Sequence, residues 1–283
     1  MLRQRNVLRT ILAGMVTLLL AAGLATSAAA NPRWVPDLPY DVEVLFDSPT
    51  GYWPQLTTHP FLAIDMTGMN HGTVHGNPQV TTLPNGERAL AFDGQGDYLE
   101  IPDAAALSTA TTGELTVEAW MRPDVLSFNN DEKAGYVHWM GKGEENQHEW
   151  VSRMYSLDNT VDRENRISGY QFNIDGGLGA GSYYQEPVEA GEWLHYVLVV
   201  NSNASIENYP AGYTKLFING TLVDQDSLIF DGELMVPTRG DAPMRVGTRD
   251  FGSFFEGAVG KIAVYDYELS PERIQDHHDH MRR

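Results

Sequence analysis

Tyrosines and tryptophans crowd the middle third of the chain, next to side chains that can hydrogen-bond. Seven of them lie between positions 136 and 184: Tyr136, Trp139, Trp150, Tyr155, Tyr170, Tyr183 and Tyr184. Flat apolar rings beside polar edges suit the two kinds of surface on a sugar. We therefore predict a carbohydrate-binding set consisting of Trp139, Arg153, Tyr183, Tyr184 and Gln185. The alternative is that half or more of these aromatic rings, Trp150 and Tyr170 in particular, fill the core.

No motif in the chain identifies a catalytic centre. Hydrolysis of a glycosidic bond normally requires two carboxylates that flank the bond. The nearest acidic group is Glu144, Glu145 and Glu149, and the glycines around it, Gly141 and Gly143, are typical of a solvated loop. The Gly-x-Ser-x-Gly turn of serine hydrolases is also absent from the sequence. We therefore predict no catalytic residue.

Near the end of the chain, histidines alternate with aspartates. His277, His278 and His280 could bind a transition metal, or they could belong to a frayed terminus. Just before them, Ser270-Pro271-Glu272 combines a capping residue, a proline suited to the first helical position and an acid for the first turn. This pattern predicts a short C-terminal helix.

Charge and cysteine content exclude several classes of function. The chain has 38 acidic and 19 basic residues, a formal net charge of −19, and no cysteine. Nucleic acid is therefore not an expected partner, because its backbone is bound by clusters of Lys and Arg. Disulfides, thiolate metal sites and a lipid-modified cysteine are all excluded.

The first 30 residues have the order of a secretory signal. Arg3, Arg5 and Arg9 precede an apolar run from Ile11 to Leu24, and three alanines, 28–30, follow. We predict a signal peptide over residues 1–30 and a secreted or cell-surface domain over 31–283, with no membrane insertion after cleavage. Cleavage would leave 16 basic and 38 acidic residues, a formal net charge of −22. An uncleaved membrane anchor is the alternative.

The rest of the sequence predicts an all-β fold. Short runs of β-branched and aromatic residues recur between turn-forming residues, at Val42–Phe46, Ala89–Phe92, Tyr98–Ile101, Leu115–Arg122, Tyr136–Met140, Trp150–Tyr155, Ile167–Phe172, Trp193–Val200, Thr214–Ile218, Met244–Val246 and Gly257–Tyr265. Asn219-Gly220 between two apolar runs predicts a type I′ hairpin. Within 115–120, alternation places Glu118 on the face opposite the apolar residues, a face expected to be wet or functional.

An ordered series of phrases resembles the laminin-G-like jelly-roll family, in particular its exported bacterial branch within the concanavalin A-like lectin and glucanase superfamily. The phrases are Ala63–Thr73, Ala89–Gly94 with Asp97–Ile101, Leu115–Trp120, Trp193–Tyr196, Leu216–Gly220, Arg245–Gly247 and Gly257–Asp266 running into Leu269-Ser270. The resemblance implies a two-sheet antiparallel jelly-roll sandwich with a short C-terminal helix.

The resemblance also implies a structural calcium ion. The matching positions are Asp65, Asp93 and Asp266, with backbone carbonyls near Asn70 and Gly94 as further ligands. Calcium prefers six to eight oxygen ligands of this kind. The alternative is that these aspartates cap turns.

For function, the fold leaves three classes open. We predict a secreted non-catalytic module that binds extracellular polysaccharide or glycan, or acts in adhesion. The rival is a glycan-active enzyme, either a glycoside hydrolase or a polysaccharide lyase. The Glu-x-Asp-x-x-Glu strand of laminarinase-type jelly rolls is missing, and Gly181–Gln185 only faintly resembles the tyrosine strand of alginate lyases. The third class is a structural surface protein.

Overall fold

The computed structural model describes residues 39–55, 61–174 and 178–282. The predicted signal peptide lies outside these residues. In the described part, two helices, α1 (Tyr40–Phe46) and α2 (Pro271–Met281), accompany eighteen strands. Neither helix is long and apolar enough to cross a membrane.

The first large sheet is antiparallel and consists of β1 (Gly51–Trp53), β4 (Gln79–Thr82), β5 (Arg88–Asp93), β7 (Glu114–Pro123), β12 (Leu194–Asn201), β13 (Tyr213–Ile218), β14 (Thr221–Ser227) and β18 (Glu256–Tyr265). These strands follow the order β14-β13-β12-β7-β18-β5-β4, with β1 paired to β18. The turn between β13 and β14 has positive φ at Asn219 (52°) and Gly220 (78°), as the predicted hairpin requires.

The second large sheet is also antiparallel and consists of β2 (Leu62–Ala63), β3 (Gly72–His75), β6 (Tyr98–Ile101), β8 (Tyr136–Lys142), β9 (Trp150–Tyr155), β10 (Ile167–Phe172), β11 (Gly179–Tyr184) and β17 (Met244–Val246). These strands follow the order β11-β10-β9-β8-β17-β6-β3-β2. A small separate hairpin joins β15 (Ile229–Phe230) to β16 (Glu233–Leu234). The predicted two-sheet sandwich with a short C-terminal helix is confirmed.

The main core fills the space between the two sheets. Its largest side chains include Trp53, Trp139, Trp150, Tyr196 and Phe255, and each is fully buried. Because burying a large apolar side chain contributes about 1.5–3 kcal/mol of transfer free energy, this layer is the main source of stability. The prediction that Trp139 lies on an exposed surface is wrong, since the ring belongs to this core.

Both helices cover the outer face of the first sheet. Tyr40 and Val44, one helical turn apart in α1, pack with Ile274 and Met281 of α2 around Trp120 of β7. The strand predicted over 42–46 is therefore wrong. The alternation of Val42 and Val44 is typical of a strand, but Tyr40 and Val44 are four residues apart and so lie on one face of a helix.

The same helices change the environment of Glu118. Alternation does place this side chain opposite the main core, but the face is neither wet nor exposed, because α1 and α2 bury Glu118 completely. The histidines near the end of the chain lie on α2 and are not frayed. His277 is fully buried beneath this helix. The predicted N-cap is present, since the Ser270 side chain accepts the Arg273 backbone N–H at 3.3 Å.

Candidate functional site

The outer face of the second sheet is the face that the two helices leave open. Register places His138, Arg153, Ser168 and Tyr183 in one row across β8, β9, β10 and β11. Paired residues in neighbouring strands point to the same side, so these side chains share one surface. We call this surface the arginine–tyrosine face and define it by Tyr136, Arg153, Tyr155, Arg163, Arg166, Tyr170 and Tyr183.

Arg153 lies at the centre of this face, between two tyrosine rings. Its guanidinium carbon lies 4.3 Å from the ring centre of Tyr136 and 4.8 Å from that of Tyr170. Its Nε donates to Nε2 of His138 at 3.2 Å. Stacking on aromatic rings holds the guanidinium plane in a fixed orientation, so its outer N–H groups are organised for a planar acceptor.

Two further arginines flank this centre. Arg163 donates to the Tyr155 hydroxyl at 2.7 Å. Arg166 lies 4.0 Å from the ring centre of Tyr183 and donates from Nε to the Gln185 side-chain oxygen at 2.7 Å. All three arginines are half-buried and Tyr183 is 43% exposed, so the face combines cationic groups with an accessible ring.

Two glycines of edge strand β11 make room for the rings of β10. A Cβ on Gly181 would approach the Tyr170 ring to 2.5 Å, and one on Gly179 would approach the Phe172 ring to 2.6 Å. Real Cβ atoms do not come this close to other heavy atoms, so Tyr170 and Phe172 lie over the β11 backbone only because these positions are glycine. Half-buried Tyr170 thereby presents part of its ring to the face, whereas Phe172 is buried.

A groove continues from this face between the two sheet edges. It has a volume of about 410 Å³ and is lined by Tyr183, Tyr184, Gln185, Glu186, Val223 and Asp224. The Tyr183 backbone N–H donates to the Asp224 carboxylate at 2.9 Å, which joins β11 to β14. Three residues of the predicted carbohydrate-binding set therefore lie together in this groove.

The predicted set is thus divided by the structure. Arg153, Tyr183 and Gln185 lie on or next to the arginine–tyrosine face, and Tyr184 packs partly against the core while lining the groove. Trp139 is buried, with its ring centre 4.9 Å from that of Tyr196. Of the two rings expected as alternatives to fill the core, Trp150 does so, whereas half-buried Tyr170 belongs to the face.

Sequence reasoning missed Arg163 and Arg166. The signal for Arg166 was present, because Arg166, Ser168 and Tyr170 alternate with the apolar or small residues of β10. Arg163 lies in the preceding loop, where alternation gives no information. Its contact with Tyr155 depends on the path of that loop.

A compact polar cluster borders the face on the side of β8. Glu132, His138 and Asp250 each offer one atom within 4.8 Å of the others. Nδ1 of His138 lies 2.8 Å from a Glu132 carboxylate oxygen, and Asp250 pairs with Arg249. Burial first, and then the charges of Arg249 and Arg153, hold the pKa of His138 well below its usual range. Since Nε2 of the neutral ring accepts from Arg153, its proton lies on Nδ1, toward Glu132.

This cluster does not resemble an acid–base pair for glycoside cleavage. A general acid needs a raised pKa. Burial opposes ionisation of Asp250, but Arg249 outweighs burial and lowers its pKa. The other acidic group, Glu144, Glu145 and Glu149, is only in part the solvated loop that was predicted: Glu145 is exposed, but the other two are ion-paired. Glu149 is buried in an ion pair with Lys142, and Glu144 pairs with Arg245.

The three predicted calcium ligands do not meet in one place. In the strand register, Asp93 lies opposite Glu256 at the start of β18, whereas Asp266 follows the end of that ten-residue strand. At about 3.3 Å per residue, these positions are roughly 30 Å apart. The three residues therefore do not fit a shared ion.

Asp65 instead acts as a hydrogen-bond acceptor inside a loop. It is 1% exposed, and its carboxylate accepts backbone N–H groups from Tyr52 at 2.8 Å, Thr67 at 2.9 Å, Met69 at 3.1 Å and Asn70 at 2.8 Å. These bonds occupy the lone pairs that a cation would need. Asp65 therefore caps a turn, which was the alternative to calcium binding.

Asp93 likewise caps a turn, through the backbone N–H groups of Gln95 at 2.8 Å and Gly96 at 3.1 Å. Burial opposes ionisation of Asp93, but these donors outweigh it and lower the pKa of the carboxyl group. The Asp266 backbone carbonyl accepts the Thr112 hydroxyl at 2.7 Å.

Comparison with known proteins identifies the fold. Residues 93–275 match the family model for the concanavalin A-like lectin/glucanases superfamily. No curated protein sequence matches the chain significantly.

Several solved structures are similar in fold. The receptor binding domain of botulinum neurotoxin C/D mosaic serotype has a TM-score of 0.60 and 15% identity over 82% of this chain and 51% of that one. The serotype D ligand binding domain in complex with N-acetylneuraminic acid has a TM-score of 0.59 and 15% identity, with the same coverages. This chain thus spans about half of each neurotoxin chain.

A third similar structure is domain 4 of AbnA, a GH43 extracellular arabinanase from Geobacillus stearothermophilus, in complex with arabinotriose. Its TM-score is 0.55 and its identity 16%, over 81% of this chain and 97% of that one. At these identities, the likeness to all three structures shows the fold alone.

Proposed function

The chain belongs to the concanavalin A-like lectin/glucanases superfamily, and from this premise we propose that it is an exported, non-catalytic module that binds extracellular polysaccharide or glycan. The observation that carries the proposal is the open arginine–tyrosine face, where Arg153 is held between Tyr136 and Tyr170. The similar structures named with N-acetylneuraminic acid and arabinotriose support the same ligand class.

The face offers both kinds of contact that a sugar needs. The exposed ring of Tyr183 can stack on the C–H side of a sugar, a contact that gains from the apolar area it buries. The arginines and Gln185 can hydrogen-bond to ring substituents and so set the orientation of the sugar. The groove beyond Tyr183 extends the platform toward the edge of the sandwich, which suits a chain longer than one sugar.

Binding is tested by titrating the protein with a panel of polysaccharides in affinity electrophoresis. Tyr183→Ala should weaken binding, whereas Phe46→Ala should leave it unchanged. Phe46 is a matched control, because it is 45% exposed on α1, on the side of the first sheet. Binding to no polysaccharide, or equal binding by both variants, would remove support for the proposal.

The rival enzymatic function is tested on the same panel. New reducing ends would show hydrolysis, and absorbance of unsaturated uronate would show elimination. Either product would replace the binding module by a glycan-active enzyme. A protein that neither binds nor cleaves would belong to the structural class.

Export is tested on the protein made with its natural N-terminus. We expect the mature chain to begin at Asn31, because the alanines at 28–30 follow the apolar run. N-terminal sequencing of the secreted protein is the measurement. An intact Met1 in a membrane fraction would show that the segment is an anchor.

A further inference from the structure

We propose that the arginine–tyrosine face selects glycans that carry anionic groups, carboxylate or sulfate, over neutral ones. The proposal rests on the proposed function and specifies the ligand class of the same face. It comes from the partners of the three arginines and not from the overall charge, which is strongly negative.

Most basic side chains in the described residues are neutralised by carboxylates. Such partners lie within 4.0 Å of eight of them: Arg122, Lys142, Lys215, Arg239, Arg245, Arg249, Lys261 and Arg273. In contrast, Arg153, Arg163 and Arg166 have no carboxylate partner among residues 39–55, 61–174 and 178–282. Their partners are tyrosine rings, a tyrosine hydroxyl, an imidazole and an amide.

This pattern is not explained by simple solvation of the charges. The other basic residues without a carboxylate partner in the described part, Arg88, Lys133 and Arg282, are exposed to water. The three arginines of the face are half-buried instead. Partial burial of a charge costs free energy unless the charge is paired, and ring stacking offsets only part of that cost. An anionic ligand would supply the missing partner.

Glu132 is separated from Arg153 by a histidine. The imidazole of His138 lies between them, with Nε2 facing Arg153 and Nδ1 facing Glu132. Arg153 uses Nε for this contact, which leaves both terminal nitrogens for a ligand. A guanidinium that presents two terminal donors matches a carboxylate or sulfate better than a hydroxyl.

The register brings a cation and a ring within reach of one sugar. Ser168 stands between Arg153 and Tyr183 in the register, and its short side chain is fully buried beneath its neighbours. Strands lie about 4.8 Å apart, so the backbones at Arg153 and Tyr183 are separated by roughly 10 Å. A sugar that stacks on Tyr183 can therefore direct an acidic substituent toward Arg153, while Arg166 lies against the same tyrosine.

The decisive comparison uses one polymer in two charge states. The full protein is titrated with polygalacturonate and with its methyl ester, which has the same sugar chain without the charge. Chondroitin sulfate tests sulfate as the source of charge, and arabinan is the neutral reference. We expect binding to polygalacturonate or chondroitin sulfate to be at least about tenfold tighter than to the ester or arabinan, as charge-assisted hydrogen bonds require.

Variants connect this preference to the face. Arg153→Gln and Arg166→Gln should each reduce binding of the anionic polymer by about tenfold and reduce binding of neutral polymers by less, because glutamine still hydrogen-bonds to hydroxyl groups but lacks the charge. Arg153→Lys should recover only part of the loss, because an ammonium lacks the planar pair of donors. Arg122→Gln is the control for net charge, since Arg122 pairs with Asp124 on the first sheet. Circular dichroism and melting temperature show that each variant is folded.

The outcomes separate this inference from the proposed function. Equal binding of polygalacturonate and its ester, unchanged by Arg153→Gln, would overturn the preference for anionic sugars and keep carbohydrate binding. If Arg122→Gln reduced the preference for anionic polymers as much as Arg153→Gln did, the assignment of that preference to this face would also be overturned. Failure to bind any polymer would overturn both.

Discussion

The Glu118 carboxylate on β7 lies 3.0 Å from Nδ1 of His277 on α2, which connects the last helix to the centre of the first sheet. The other ring nitrogen of His277 lies 2.9 Å from Asp47, next to the end of α1. Burial by itself would lower the pKa of His277, but the two carboxylates outweigh burial and raise it from 6.5 to about 9. The imidazolium thus holds together both helices and the sheet.

This arrangement predicts a loss of stability in mild alkali. Because the pKa of His277 is higher in the folded than in the unfolded chain, its stabilising contribution is complete below pH 6.5 and is lost as pH rises through about 9. A pKa shift of this size corresponds to about 3 kcal/mol of folding free energy. His277→Gln should therefore lower the free energy of unfolding near neutral pH and flatten its decline toward about pH 10.

Urea unfolding across this pH range measures the effect. His280→Gln, on the same helix, is the control and should keep the alkaline decline of the wild type. A wild-type protein whose stability does not change between neutral pH and about pH 10 would contradict the role of His277.

Gly181 should be required for the shape of the face. A methyl group at this position would collide with the Tyr170 ring and with the Gly169 carbonyl oxygen. Gly181→Ala should therefore weaken glycan binding and cost about 1–3 kcal/mol of stability, as overpacking usually does. Gly96→Ala is the matched control, because nothing lies within 4 Å of a Cβ there. Calorimetry measures glycan affinity and thermal melts measure stability for both variants. A Gly181→Ala protein with wild-type binding would show that Tyr170 is not part of the site.

Asp65 should stabilise the fold without any cation. Asp65→Ala leaves four backbone N–H groups without their acceptor, which we expect to cost on the order of 3 kcal/mol. The destabilisation should be the same in calcium and in chelator. Asp93→Ala should cost much less, since Asp93 is an exposed turn residue. Stabilisation of the wild-type protein by calcium stays a prediction. If calcium raised the melting temperature of the wild type and Asp65→Ala abolished that rise, Asp65 would be a calcium ligand.

Local pattern was sufficient to predict most of the sheet strands. Strands such as Trp150–Tyr155 and Ile167–Phe172 have the predicted bounds, because a two-residue repeat is set by adjacent residues. The helix at Tyr40–Phe46 was not predicted, because the sequence fits both structures. Val42 and Val44 alternate as in a strand, and Tyr40 and Val44 have the four-residue spacing of one helical face. Only packing against α2, more than 220 residues later in the chain, decides between them.

The candidate site was predicted only in part, for a related reason. Arg153 and Tyr183 were identified by residue type, and the register of three strands brings them onto one face. Which aromatic rings face outward depends on the pleat of each strand. In β8, Trp139 follows buried Val137 by two positions and so shares its inward side. Applied to β8, the alternation rule would have removed Trp139 from the carbohydrate-binding set.

Trp139 and Tyr183 should respond oppositely to truncation. Trp139 is fully buried and packs against Tyr196, so Trp139→Ala should cost about 3–5 kcal/mol of stability. Binding per folded molecule should change little, since the ring cannot reach a ligand. Tyr183 is 43% exposed, so Tyr183→Ala should keep the melting temperature and lose glycan affinity. Denaturant unfolding and glycan titration on the two variants measure both quantities. If Trp139→Ala loses affinity at full stability, the main core does not hold this ring, and the assignment of inner and outer faces to β8 is wrong.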